Sequence, residues 1–176
     1  MEIVKQLLLA LGLLGSPVAH PPEPCLGNCK PSPAAIGVIK HFEGYSPVVY
    51  QDAAGYNTIG FAHLIKSGEK IQEPLLGDAA EGLLQQDIKP KAAAVNARVS
   101  VPLFQGQFDA VLSWTYNLGE GALKSSTMLK KINARRHEEV PGQIKRWNAE
   151  AVLYGSLAPM EQKFTLSLNL WENMAF

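Results

Sequence analysis

The chain has 176 residues, of which 47% are hydrophobic and 18% are charged. This length can bury one good core, split at most into two small lobes, and the composition excludes a disordered chain and a multi-span membrane protein. Sixteen Lys and Arg residues balance sixteen Asp and Glu residues, so the net charge gives no reason to expect a nucleic-acid partner. A local excess of basic residues between Lys124 and Arg146 is typical of a solvated helical face, with contact to an anionic polymer as the alternative.

The N-terminus carries an apolar segment that predicts export. Lys5 and the free amino group precede an apolar run from Leu7 to Ala19, which has the length of a signal peptide and is too short for a stable membrane span. Residues 1–19 are therefore predicted to be either a cleaved signal or a signal anchor that inserts uncleaved and later leaves the membrane. Both interpretations place residues 20–176 outside the cytoplasm, and a buried core helix is the remaining alternative.

Residues 20–31 are rich in proline and predict an extended linker before the folded domain, which we expect to span residues 32–176. The linker holds Cys25 and Cys29, the two cysteines of the chain, which could form a small disulfide in an oxidising compartment. Two cysteines without a second pair cannot fill a tetrahedral zinc shell. We therefore expect neither a metal site nor a catalytic cysteine.

A helix is predicted at the start of the folded domain. Ser32 suits the N-cap and Pro33 the first turn. Four apolar residues follow at helical spacing, namely Ala35, Ile36, Ile39 and Phe42. This pattern places Glu43 at the helix end, next to Gly44. The helix dipole disfavours a negative charge there, which favours the protonated carboxyl that a general acid needs.

After Gly44 the pattern of residues alternates, which predicts a β-hairpin. Val48, Tyr50 and Asp52 fall on one face of a first strand, and the return strand begins at Thr58, across the hairpin from Asp52. At the polar hairpin end an ionised Asp52 could deprotonate a water that the Thr58 hydroxyl holds by a hydrogen bond. The alternative is structural, with Asp52 accepting hydrogen bonds from turn amides and Thr58 present for its β propensity.

A motif of defined spacing surrounds these carboxylates. It comprises Glu43-Gly44, Tyr50, Asp52, Gly55, Thr58-Ile59-Gly60 and His63, and it is followed by residues 107–121, residues 126–133 and Arg146-Trp147. With these motifs the chain resembles the phage-type lysozymes, glycoside hydrolase family 24, and among them the endolysins with an N-terminal signal-anchor-release segment. The resemblance covers about residues 32–150. Ala62 departs from it, since the family commonly has Gly there, and so does the C-terminal region, which lacks the family's paired arginines.

The resemblance implies an α+β fold, mainly α, in which a small β-hairpin lobe and a larger helical lobe enclose a cleft. It implies hydrolysis of the β-1,4 bond between N-acetylmuramic acid and N-acetylglucosamine in peptidoglycan, with inversion at the anomeric carbon. Glu43 then corresponds to the general acid, Asp52 to the residue that activates the water and Thr58 to the residue that assists it. No metal and no organic cofactor are implied.

Four further residues receive roles from the resemblance. Asn117 is expected to contact either the substrate or the catalytic carboxyl in the cleft, and Tyr50 is expected to contact the substrate. His63 is interpreted as a structural residue rather than a catalytic one, and Asp87 is expected to be its ion-pair partner.

Trp114 falls at helical spacing in the large lobe and is expected in the core.

Three functions are compatible with this pattern. A muramidase that lyses the host cell is favoured, a lytic transglycosylase would use one acid and no water, and a catalytically inactive module would only bind peptidoglycan. Peptidoglycan is the expected partner, nucleic acid is not, and a monomer is expected. The protein should act in the periplasm, tethered to the inner membrane before release if residues 1–19 stay uncleaved.

Overall fold

The structure is a computed structural model that describes residues 23–153, with side chains up to residue 146, together with residues 168, 170 and 171. The first of these segments holds five α-helices, a three-stranded sheet and a 3-10 turn at His137–Glu139. The helices are α1 (Pro33–Glu43), α2 (Gly77–Arg98), α3 (Gln105–Ser125), α4 (Thr127–Asn133) and α5 (Val140–Leu153). The strands are β1 (Ser46–Gln51), β2 (Asn57–Gly60) and β3 (His63–Leu64). The predicted fold class, α+β and mainly α, is confirmed.

Two regions of the sequence analysis lie outside the described residues. These are the predicted export segment, residues 1–19, and residues 156–161 of the C-terminal region, where the chain departs from the family resemblance. Within the described part, no helix combines the length and the apolar character that crossing a bilayer requires.

Helix α1 begins and ends where the sequence pattern predicts. The Ser32 side chain caps its N-terminus by accepting a hydrogen bond from Ala35 N at 3.2 Å. At the other end Gly44 has a φ of 68°, and its N–H donates to Lys40 O at 3.2 Å. A left-handed residue at this position favours glycine, and it turns the chain away from Glu43 into the hairpin.

The small lobe is an antiparallel sheet in the order β1-β2-β3. Tyr50 pairs with Thr58 and Gln51 with Asn57 across the first hairpin. The turn of the hairpin therefore consists of residues 52–56, which connect the two members of the last pair. Asp52 belongs to this turn rather than to the strand.

Each lobe has its own hydrophobic core. The small core consists of Ile59, Leu75 and Ala80. The large core surrounds α3, whose residues 106–115 are all buried, as is typical of a helix at the centre of a domain. Trp114 is fully buried there, which confirms its predicted core position.

Helix α2 joins the two lobes. Near its start it contributes Ala80 to the small core, and further along it contributes Leu84, Ile88 and Val95 to the large core. One continuous helix of 22 residues thus fixes the small lobe to the large one.

The segment predicted as a linker packs against the large lobe from Cys25 onward, and we call residues 25–32 the N-terminal strap. Cys25 and Cys29 form a disulfide. Cys25 exchanges two backbone hydrogen bonds with Leu103, of 2.8 and 2.9 Å. The backbone of Cys29 is paired with the side-chain amide of Asn96 by bonds of 3.0 and 2.9 Å. Proline-rich composition predicts an extended chain, but it carries no information about these distant partners.

A buried carboxylate anchors the start of α1. Asp109 in α3 is 1% exposed, and its Oδ1 accepts hydrogen bonds from Ser32 N at 3.1 Å and from Gln105 Nε2 at 2.9 Å. Burial raises the pKa of Asp109, while the hydrogen bonds from Ser32 and Gln105 oppose that shift. The N-cap of the helix that ends on Glu43 is therefore tied to the centre of the large core.

The substitution Asp109→Asn tests the electrostatic cost of this anchor. Because burial raises the folded pKa above the ordinary value of 3.8, the stability contribution of Asp109 is fully present below that value and is lost as the pH rises through the folded pKa. Asn offers an oxygen to both donors without the charge. We expect the free energy of unfolding of the Asn variant at neutral pH to equal or exceed that of the wild type. The variant should also not lose stability as the pH rises through the folded pKa of Asp109, whereas the wild type should. Urea denaturation between roughly pH 3 and pH 7 measures both effects.

The control is Asp109→Ala, which removes the acceptor of the two part-buried donors, Ser32 N and Gln105 Nε2. We expect it to lower the free energy of unfolding by about 1–3 kcal/mol at neutral pH. If Asn destabilised the protein as much as Ala, the hydrogen bond from Ser32 N to Oδ1 would not be what holds the strap to α3.

Candidate active site

Glu43 lies where the large lobe meets the hairpin. It is the last residue of α1, and its side chain is half-buried. The helix fixes its backbone, and the reversal at Gly44 brings the hairpin directly after it. A carboxyl group in this position is held by the fold and remains partly open to a ligand.

Asp52 has a structural role in the hairpin turn. Its Oδ1 accepts hydrogen bonds from Ala54 N and Tyr56 N, both at 2.9 Å, and its own N–H donates to Tyr56 O at 2.9 Å. Among the described residues, Oδ2 accepts no hydrogen bond. Asp52 thus has the structural role that the sequence offered as an alternative, since it accepts hydrogen bonds from turn amides. These bonds use Oδ1, which leaves Oδ2 for a water or a ligand.

Thr58 is placed differently from the sequence prediction. It lies opposite Tyr50 in the register of the hairpin, not opposite Asp52, because Asp52 belongs to the turn. Thr58 is 3% exposed, and its hydroxyl donates to Tyr56 O at 3.1 Å. A hydroxyl has one proton, so Thr58 in this geometry can hold a water only by accepting a hydrogen bond from it.

Tyr50 brings the two carboxylates into one environment. Burial raises the pKa of the Tyr50 phenol, and the negative charges of Glu43 and then of Asp52 raise it further. Both carboxylates therefore lie within electrostatic range of one hydroxyl. Tyr50 remains 37% exposed, so it presents a partly apolar surface within electrostatic range of both acids.

His63 lies between two carboxylates and is 6% exposed. Its Nδ1 is 3.0 and 2.9 Å from the two carboxylate oxygens of Asp87 in α2, and its Nε2 is 3.2 Å from those of Glu69. The structure thus brings together the pair that the sequence analysis joined and adds Glu69, which sequence reasoning missed because it stands in a loop without periodic pattern. The hydrogen bonds from Lys66 N and from His63 lower the pKa of Glu69.

Asn117 lies on α3 near a break in that helix. Its Nδ2 donates to Ser113 O at 2.8 Å, which orients the side chain along the helix. Two residues later, Gly119 has a φ of 85° inside α3 and kinks it. Tyr116, the neighbour of Asn117, lines a cavity of about 330 Å³ together with His63 and other residues; sequence reasoning assigned it no role.

Metal binding finds no support in the described part of the chain, where no group of three or more His, Cys, Asp or Glu side chains is arranged to hold an ion. The arrangement instead supplies a half-buried carboxyl at a helix end and a second carboxylate at a turn. Such a pair is suited to general acid and base chemistry.

Comparison with known proteins identifies a family and several relatives. The family model described as phage lysozyme matches residues 40–158. The chain is 36% identical to an endolysin of Bacillus phage B103 over 78% of this chain and 53% of that protein, so it spans about half the length of that relative. It is also 34% identical to a SAR-endolysin of Escherichia phage Mu, with 61% of each chain covered.

Solved structures with a similar fold include two that are matched over almost their whole length. An endolysin from Escherichia coli O157:H7 phage FAHEc1 matches with a TM-score of 0.74 at 26% identity, over 86% of this chain and 99% of that one. The muramidase domain of SpmX from Asticaccaulis excentricus matches with a TM-score of 0.72 at 31% identity, over 82% and 99%.

Two substitutions separate the structural part of Asp52 from its charge. Asp52→Ala removes the acceptor for two turn amides and should lower the free energy of unfolding by about 1 kcal/mol. Asp52→Asn keeps an oxygen at the Oδ1 position and should stay within about 0.5 kcal/mol of the wild type. Urea denaturation of both variants measures the difference, and equal losses would show that the turn does not depend on this acceptor.

Proposed function

The chain belongs to the phage lysozyme family of glycoside hydrolases, and we propose that it hydrolyses the β-1,4 bond between N-acetylmuramic acid and N-acetylglucosamine in peptidoglycan, with inversion at the anomeric carbon. The proposal rests on two carboxyl groups that lie in different local environments and that both affect the pKa of one tyrosine. Glu43 ends a helix and is half-buried, Asp52 stands in a turn, and both charges raise the pKa of Tyr50.

In the proposed reaction Glu43 is the general acid that protonates the leaving-group oxygen. Asp52 orients a water with Oδ2 and takes its proton as the water attacks the anomeric carbon from the other side. Thr58 accepts a hydrogen bond from that water, since its own proton is donated to Tyr56 O. An inverting enzyme needs room for this water between its carboxyl groups.

Tyr50 and Asn117 are proposed to contact the glycan. The exposed face of Tyr50 beside both acids suits packing against a sugar ring, since tyrosine offers an apolar body with a polar tip. Asn117 is oriented by its hydrogen bond to Ser113 O. His63 and Asp87 are proposed to hold β3 against α2 and to take no part in the chemistry, because Asp87 and Glu69 together engage both ring nitrogens of His63.

We also propose that the protein works outside the cytoplasm of a bacterial host as a lytic enzyme. The support is the apolar run before residue 20, the disulfide in the N-terminal strap and the likeness to a SAR-endolysin of phage Mu. Disulfides persist in oxidising compartments such as the periplasm. Tethering to the inner membrane and a monomeric state belong to the same proposal.

Glu43→Gln tests the general acid. Removing an acid catalyst typically costs a factor of 10² to 10⁴ in rate, so we expect roughly that loss in kcat with the fold intact. Reducing-end release from purified peptidoglycan measures activity, and the thermal melt measures folding. The matched control is Glu138→Gln, which neutralises an exposed carboxylate outside the site and should keep wild-type kcat. Full activity in Glu43→Gln would refute the proposed role.

The products decide between the proposed reaction and its alternatives. Mass spectrometry should detect reducing sugars, because a water enters the bond. Anhydro ends would instead identify a lytic transglycosylase. Sedimentation of the protein with peptidoglycan without any released fragment would identify an inactive binding module.

A further inference from the structure

Tyr116 connects the two lobes by a hydrogen bond. It lies on α3, the central helix of the large lobe, and its phenol O–H donates to Phe61 O at 3.5 Å. Phe61 stands between β2 and β3 of the small lobe. The hydrogen bond is long, and it crosses from one lobe to the other.

The turn that receives this hydrogen bond is strained. Ala62, which follows Phe61, has a φ of 59°, and a residue with a Cβ disfavours this left-handed conformation. The neighbouring Gly60 also has a positive φ, of 65°, but glycine accepts it freely. Contacts from outside the turn must therefore hold Ala62 in place.

Two contacts hold the turn on either side. On the far side, His63 is bound by Asp87 and Glu69. On the near side stands the phenol of Tyr116. Tyr116, Ala62, His63 and Asp87 are all among the residues that line the same cavity.

The Tyr116 hydroxyl stays protonated at neutral pH, because its pKa is raised. Burial raises its pKa, and the charges of Asp87 and Glu43 raise it further. The effect of Glu43 shows that the phenol also lies within electrostatic range of the proposed general acid. The hydroxyl is thus available as a hydrogen-bond donor to Phe61 O.

We propose that Tyr116 is a positioning residue: its hydroxyl holds the strained Phe61–Ala62 turn against α3 and so sets the hairpin that carries Asp52 and Thr58 relative to Glu43. The proposal rests on the proposed function for its kinetic consequence, but the hydrogen bond and the turn do not depend on it. Tyr116 acts through the turn and does not touch the reacting atoms.

The variant Tyr116→Phe removes the hydroxyl and keeps the ring. We expect kcat on soluble peptidoglycan fragments to fall about three- to tenfold, the effect of one lost hydrogen bond, while KM changes by less than about twofold. Hydrogen exchange at the amides of Ala62 and His63 should become faster. Tyr45→Phe is the matched control, since the Tyr45 hydroxyl also donates to a backbone carbonyl, that of Leu75, within the small lobe. It should leave kcat within about twofold of the wild type.

A double-mutant cycle with Ala62→Gly tests whether the hydroxyl acts through the turn. Glycine adopts the left-handed conformation without strain, so the turn should hold without Tyr116. In the Ala62→Gly background, the kcat loss from Tyr116→Phe should therefore shrink to less than about twofold. An equal loss in both backgrounds, or unchanged kcat and exchange in Tyr116→Phe, would overturn the proposal, as would a kcat loss that merely follows a fall in the folded fraction. If the wild type does not cleave peptidoglycan, the proposed function fails, and the exchange rates still decide the role of Tyr116.

Discussion

The hydrogen bond from Ser32 N to the buried carboxylate of Asp109 determines where the helix that ends on Glu43 begins. Helix α1 has 11 residues and rises about 1.5 Å per residue. Because a helix this short behaves as a straight rod, fixing its first turn also fixes the position of its last residue, Glu43. The anchor lies in α3, at the centre of the large core. The position of Glu43 thus follows from a buried helix of the large lobe rather than from the hairpin beside it.

The second carboxylate is placed by a different device. Asp52 is held by the turn that its own Oδ1 closes, and the hairpin is held by the contacts of His63 with α2 and of Tyr116 with the Phe61–Ala62 turn. Glu43 and Asp52 therefore both lie within electrostatic range of Tyr50, although they belong to two lobes with separate cores. Because α2 belongs to both cores, it is the element that keeps these two placements consistent with each other.

The local parts of this arrangement could be predicted from the sequence. The Ser32 cap, the end of α1 at Glu43 and the hairpin between Asp52 and Thr58 depend on neighbouring residues, whose types indicate caps, strands and turns. The contacts that orient these elements could not be predicted. Ser32 and Asp109 are 77 residues apart, and the strap, Glu69 and Tyr116 meet their partners across similar gaps or in loops without periodic pattern. The register error at Thr58 has the same origin, since the length of a turn is decided by its hydrogen bonds.

Central to this account is the assignment of Asp52 to a water rather than to the sugar. An attacking water that is held by Asp52 reaches the anomeric carbon from the side opposite the leaving group, so the configuration inverts. Proton NMR of the first product released from a soluble peptidoglycan fragment, recorded before mutarotation equilibrates the anomers, measures this directly. The account predicts that the α-anomer appears first from the β-linked substrate. Initial formation of the β-anomer would contradict it, because retention requires a carboxylate that attacks the sugar itself.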